Sequence, residues 1–197
     1  MKKQPTEVRQ EQIKKAVLDI IATEGFQKLS TRNLANRVGI SEGALFRHFK
    51  SKKDILLAIM QDVRTQLVKK LWEISLADEA ADLRLFRFLC AHITYLLENK
   101  GIIFLLFSEA AHMNDSDLKK HLHDILNEQK QYVTKIIQDG LVGGLWDPKL
   151  SAENVAVLYL GIPLALNIEL LLDPQRVQTE NFCKKMIGLL EKVLKKR

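Results

Sequence analysis

No stretch of this 197-residue chain alternates apolar and polar residues as a half-buried strand does, and only four prolines interrupt it. Apolar residues recur instead at helical steps almost throughout, so the expected fold class is all-α. Cysteine is scarce too: Cys90 and Cys183 lie far apart, each within an apolar helical pattern. Metal sites need clustered ligands and secreted disulfide scaffolds use more cysteines, so both are expected as free buried thiols in a reducing cytoplasm. There is no N-terminal apolar core of signal-peptide type, no amphipathic anchor and no lipidation signal. The one long apolar run, Val155–Leu172, is marginal in length for a membrane span, and Pro163, Asn167 and Glu169 interrupt it. It is expected to be a buried or interface helix, with no membrane partner.

Catalytic signatures are missing as well. The chain has no Gly-rich phosphate loop, no nucleophile elbow and no metal-ligand spacing. His112, His121 and His123 with Asp115, Asp117 and Asp124 form the nearest thing to a metal set. Residues two apart on a helix diverge by roughly 200°, so His121 and His123 cannot chelate together. No metal, no cofactor and no enzymatic activity are expected.

What the chain does have is concentrated in Ser30–Ile55, STRNLANRVGISEGALFRHFKSKKDI. The segment reads as two short helices around a tight turn, with a third starting near Lys52. Ser30 and Ser41 can cap the first two by accepting a bond from a backbone N–H two or three residues on. Leu34, Ala35 and Val38 give the first helix a buried stripe, and Ala44 and Leu45 face inward from the second. Gly39 falls where the chain reverses, at a position that commonly needs positive φ. This spacing is that of a helix-turn-helix, whose second helix enters the DNA major groove. An ordinary helical hairpin shares the spacing, but charge separates the two readings. The chain's net charge is +6, and residues 1–60 hold twelve basic and six acidic residues, so the whole excess lies there; residues 61–197 carry eighteen of each sign. Such a footprint suits a phosphate backbone. On the second helix, Glu42, Gly43, Arg47 and His48 are expected to be exposed, with Arg47 able to pair with guanine O6 and N7 and Gly43 allowing close approach. Phe46 and Phe49 are expected to brace the head.

The stretch from about Gln12 to Met60, with Gly25-Phe26, Leu34-Ala35, Gly39-Ile40-Ser41, Gly43 and Phe49-Lys50-Ser51-Lys52, resembles the N-terminal signature of the tetracycline-repressor (TetR) family of bacterial regulators. The resemblance implies a three-helix helix-turn-helix domain over residues 1–51 and a larger helical domain over 52–197 that binds a small effector and dimerises. It places Ser30, Arg32, His48 and Lys52 among the phosphate- or groove-facing positions; with Ser41, Glu42, Gly43 and Arg47 they make up the expected DNA-binding set. The family usually has tyrosine where this chain has Phe46, so the phosphate contact of that phenol is missing.

The remainder is read as a series of helices. The first covers about 7–24 with Thr6 as cap. A long one covers 52–75 with Ser51 as cap and Ile55, Ile59, Val63, Leu67 and Leu71 on its apolar stripe; it is the natural mechanical link between the domains. Others are expected at 83–99, 102–111, 115–139 (opened by Asn114), 152–172 and 175–196. Effector-lining candidates are Trp72, Tyr95, Phe104, Phe107, Glu109, His112, Tyr132 and Asn167, with Trp146 as a further aromatic. Their mostly aromatic character points to a small, largely apolar effector. By resemblance the last two helices pair with those of a second subunit, with Leu158 and Leu166 in the seam and small Gly161 and Ala165 allowing close contact. The expected function is a cytoplasmic, homodimeric, ligand-responsive regulator, most simply a repressor of a pseudo-palindromic double-stranded DNA operator. A helical carrier of lipids or small molecules, with a basic head for an acidic partner, is the alternative.

Overall fold

Three serines start three helices. In the computed structural model, which describes residues 5–173 and 181–195, Ser30 Oγ accepts from the Asn33 N–H (3.1 Å), Ser41 Oγ from Ala44 (3.2 Å) and Ser51 Oγ from Asp54 (3.1 Å). Each bond satisfies one of the orphan donors of a first helical turn, worth about 1 kcal/mol. The helices are α1 (Thr6–Glu24), α2 (Thr31–Val38), α3 (Glu42–His48), α4 (Lys52–Asp62), α5 (Lys69–Ser75), α6 (Ala81–Glu98), α7 (Ile102–His112), α8 (Ser116–Val142), α9 (Ala152–Leu172) and α10 (Phe182–Leu194). Among the described residues there is no strand. Between α2 and α3 Gly39 turns the chain at φ +71°, and its N–H closes back onto α2.

Two caps differ from expectation. Thr6 lies inside α1, which follows Pro5 and has no side-chain cap. Proline needs no N–H at that boundary and presets φ, so a helix can start there without a hydroxyl. At α8 the cap is Asp115, not Asn114: Asp115 Oδ1 accepts from the N–H groups of Asp117 (2.9 Å) and Leu118 (3.1 Å), while Asn114 takes positive φ. The helical run that begins at Lys52 is not uniform either. Val63–Val68 adopts π turns, although Ile55, Ile59, Val63, Leu67 and Leu71 are all buried as their spacing implies. The start of the helix expected at 175–196 lies outside the described residues.

The chain divides into two compact units. The first comprises residues up to Asp62 with Asn99–Leu122. Its core is a stripe from each helix: Ile13, Val17, Ile20 and Ile21 of α1, Leu34 and Ala35 of α2, Leu45 of α3, and Ile55, Leu56 and Ile59 of α4. Each large side chain removed from water contributes about 1.5–3 kcal/mol before chain entropy is charged against it. Lys14 is buried on α1 and ion-paired to Asp62 at 2.5 Å and to Glu11, so its charge is compensated where it lies.

The second unit comprises Val63–Glu98 and residues from His123 onward. Phe88 of α6 and Tyr159 of α9 meet edge to face at 5.5 Å, within a core that includes Leu85, Leu89, Ile136 and Ile137. Buried Arg84 donates to the Ser75 carbonyl (2.8 Å) and to Asp139 (3.0 Å). Trp146 is core here, packed so closely on Gly140 that a Cβ at that glycine would lie 2.3 Å from the indole. Helix α9 continues through Pro163 and is long and apolar enough, by length and composition, to cross a membrane. Its Val155, Ala156, Tyr159, Leu166 and Leu170 are packed inside the chain, while Val157, Leu158, Leu164, Ile168 and Leu172 are exposed.

Candidate nucleic-acid interface

Leu45 of the short third helix and Phe49, four on at its C-terminal boundary, mark the buried side. Steps of 100° then place Glu42, Gly43, Phe46 and Arg47 on a shared outward face, and all four are exposed. Phe46 is 44% exposed and does not brace the head; Phe49, at 7%, does. The reason is angular: residue 46 lies one step off the stripe set by 45 and 49. Phe46 is therefore a surface residue that the sequence reading missed, although its spacing of three and four from Gly43 and Glu42 was the available signal. Glu42 is anchored, because Thr31 Oγ1 of α2 donates to its Oε2 at 2.8 Å. Arg47 reaches outward beside it. A Cβ at Gly43 would meet nothing within 4 Å, so the space over that glycine is open.

The expected phosphate-facing residues are differently disposed. Ser30 and Ser41 use their oxygens as caps and remain exposed, as does Arg32. His48 is half-buried; its carbonyl accepts from Gln10 Nε2 (3.0 Å) and its Nδ1 is buried without a partner. Lys52 is not a free cation: its Nζ lies 2.7 Å from Oε1 of Glu109, whose side chain is only 2% exposed. Next to it Lys53 pairs with Asp115 (2.8 Å) and Asp117 (2.9 Å). These hydrogen bonds hold the Lys53 ammonium above and the Asp115 carboxyl below their ordinary ranges. Both lysines at the start of α4 are thus neutralised by acids from the 102–122 segment.

Residues 13–59 match the family of bacterial regulatory proteins named for tetR. Residues 13–59 thus carry the N-terminal domain of the TetR family. Among curated relatives, the nucleoid occlusion factor SlmA of Haemophilus ducreyi is 26% identical over 139 residues, covering 70% of this chain and 69% of that protein. Among solved structures, the MbdR regulator of Azoarcus sp. CIB superposes with a TM-score of 0.81 at 20% identity, over 92% of this chain and 96% of that one. FadR of Bacillus subtilis, in complex with stearoyl-CoA, does so with a TM-score of 0.70 at 19% identity, over 91% and 96%. The fold is that of TetR-family transcriptional regulators.

The eight effector candidates do not form one set. Phe104, Phe107 and His112 are exposed on α7, and Glu109 on the same helix is spent on Lys52. In the second unit Trp72 and Tyr132 share a groove of about 250 Å³ with Arg64, Val68, Lys69 and Glu128. Burial, and after it the charge of Glu128, pushes the Tyr132 phenol up. Tyr95 and Asn167 are buried, and Asn167 Nδ2 has no hydrogen-bond partner. His92, absent from the candidates, is buried on α6 with an unpartnered Nδ1, and desolvation lowers its pKa to about 4. A lone histidine within the apolar stripe Phe88, Leu89, Ile93, Leu96 was the signal for it. Among the described residues no three His, Cys, Asp or Glu side chains gather as a metal site.

The proposed dimer seam needs one correction. Leu158 is exposed, but Leu166 is 2% exposed and packed within its own chain. Eight residues take a helix through 800°, or 80° past whole turns, enough to carry Leu166 off the outer face.

Proposed function

We propose that this protein is a cytoplasmic, homodimeric, ligand-responsive DNA-binding transcriptional repressor and not an enzyme. Residues 1–51 serve as the reading head and 52–197 as the effector-binding and dimerisation part. The observation that carries the reading is the outward face of α3, with Arg47, Gly43, Phe46 and anchored Glu42, on the segment that holds the chain's whole positive excess. Arg47 supplies a bidentate guanine contact and Phe46 an apolar surface for a thymine methyl. Ser30, Arg32, His48 and Lys52 hold the backbone, with Lys52 first leaving Glu109. Two heads about one DNA turn apart read a pseudo-palindrome.

Dimerisation uses the exposed apolar side chains of α9 and α10, among them Leu158, Ile168, Leu189 and Val193, because such a row on one chain is costly to leave wet. The effector is small and largely apolar, with an acyl chain favoured by the stearoyl-CoA complex of the FadR relative. The unpartnered polar atoms of His92 and Asn167, on the packed pair α6 and α9, are handles that a ligand can satisfy. Binding releases DNA by favouring a conformer whose heads no longer fit, and the π turns at Val63–Val68 loosen the hydrogen-bond ladder along the connecting helix.

The test is binding of fluorescent duplexes selected from random sequence. Arg47→Ala should cost about 1–3 kcal/mol on the selected duplex and little on a scrambled one. Equal losses on both would make Arg47 a phosphate contact. Acyl compounds that raise the melting temperature should also release DNA; release by highly polar metabolites alone refutes the effector assignment. The likeness to a nucleoid occlusion factor supports a second reading, DNA binding in that role without effector release. It is favoured if DNA binding is specific but no compound that stabilises the protein changes it.

A further inference from the structure

The chain has two cysteines, expected to be buried and independent, yet the structure brings them together with both partly exposed. Cys183 lies in the first turn of α10, on the stripe continued by buried Ile187, Leu190 and Leu194. Cys90 lies on α6, which packs against α10, and its side chain neighbours that of Cys183. Cys90 also lines a groove of about 440 Å³ with Lys70, Glu73, Phe86, Arg87 and Thr94, an approach for a small polar reagent. Within electrostatic reach of both sulfurs is the hydroxyl of Tyr159, fully buried and without a hydrogen-bond partner. A buried phenol with no acceptor is costly, and an oxygen added to either sulfur would supply one.

We propose that Cys90 and Cys183 are a redox modification site, oxidised by a peroxide to an intramolecular disulfide that ties α10 to α6. In the first step the Cys183 sulfur attacks the peroxide. The O–O bond breaks, a sulfenic acid forms, and water (or an alcohol, from an organic peroxide) leaves. Tyr159 donates to the sulfenic oxygen. In the second step the Cys90 sulfur attacks that sulfur, the S–O bond breaks, and a second water leaves with the thiol proton. Two thiols are oxidised by two electrons and one peroxide is reduced. Burial, and after it the neighbouring Cys183, pushes the Cys90 thiol up to about 12. Little of Cys90 is thiolate at neutral pH, so its attack on the sulfenic sulfur, and with it closure, should speed up as pH rises. This chemistry does not depend on the DNA-binding reading.

The reduced full chain is treated with equimolar hydrogen peroxide and analysed by mass spectrometry without reductant. The expected result is a monomer lighter by 2 Da, with a proteolytic peptide joining Cys90 to Cys183. Dithiothreitol should restore both free thiols, and the oxidised form should melt several degrees higher because the cross-link closes a long loop. Cys90→Ser should stop at a sulfenic acid that dimedone traps at Cys183, and Tyr159→Phe should slow closure while leaving the circular dichroism unchanged. A disulfide between two chains, overoxidation to sulfinic or sulfonic acid without a cross-link, or two thiols unchanged by peroxide would each overturn the proposal.

Discussion

Removing either partner of the Lys52–Glu109 pair should have opposite consequences for DNA binding and unequal ones for stability. Glu109 is the buried member, at 2% side-chain exposure, and Lys52 the accessible one, at 37%. Lys52→Ala leaves a carboxylate in an apolar site with its second oxygen already unpartnered. Breaking a fully buried pair costs about 3–5 kcal/mol; with Lys52 partly in water, about 2 kcal/mol is expected. Glu109→Gln removes the buried charge and leaves a lysine that water can reach, for about 0–1 kcal/mol. On DNA the order reverses. Lys52→Ala loses a phosphate contact, weakens selected and scrambled duplexes alike and flattens the salt slope by about one unit. Glu109→Gln frees Lys52 and should tighten both duplexes by up to about fivefold, the equivalent of the about 1 kcal/mol no longer needed to part the pair. Urea unfolding gives the first comparison and fluorescence anisotropy against salt the second. Equal destabilisation by the two variants, or weaker DNA binding by Glu109→Gln, would refute the reasoning.

Three further outcomes follow from the second unit. His92 is held neutral, with a pKa lowered to about 4. The unfolded chain therefore takes up a proton near pH 6.5 and the folded chain does not, and His92 should remove about 3 kcal/mol of stability as pH falls from 6.5 to 4. His92→Phe should flatten that part of the urea-midpoint profile, and an unchanged slope would place the titration elsewhere. Gly140→Ala drives a methyl into Trp146 and should cost about 2 kcal/mol or more by thermal unfolding; a neutral result would mean that the indole has room to move. Leu158→Glu should yield a folded monomer in light scattering at micromolar concentration while Leu166→Glu unfolds the chain, because only the first is exposed; a Leu158→Glu dimer would place the seam elsewhere.

Much of the reading head was legible because its determinants act over three or four residues. The bonds of Ser30, Ser41 and Ser51 span three residues, and the turn at Gly39 is local backbone geometry. The stripes of α1 and α2 and the apolar run from Ile55 to Leu71 follow from the helical repeat, so the all-α class could be read directly. Misreadings began where one helix had several apolar candidates for one buried stripe. Phe46 and Phe49 are chemically identical, and only the second falls on the stripe that begins at Leu45, so it is buried and the first exposed.

The amino-acid sequence by itself determined the starts of α2, α3 and α4, the tight turn, the confinement of the net positive charge to residues 1–60 and the family signature, because caps, periodicity and charge are properties of neighbouring residues. Tertiary structure alone decided that Lys52 pairs with Glu109 fifty-seven positions away, that Cys90 meets Cys183, and that the eight effector candidates fall apart into exposed, paired and buried groups. Those outcomes depend on which surfaces the helices bury against one another. A side chain's partner across such an interface is set by the packing of the whole chain, and no local pattern encodes it.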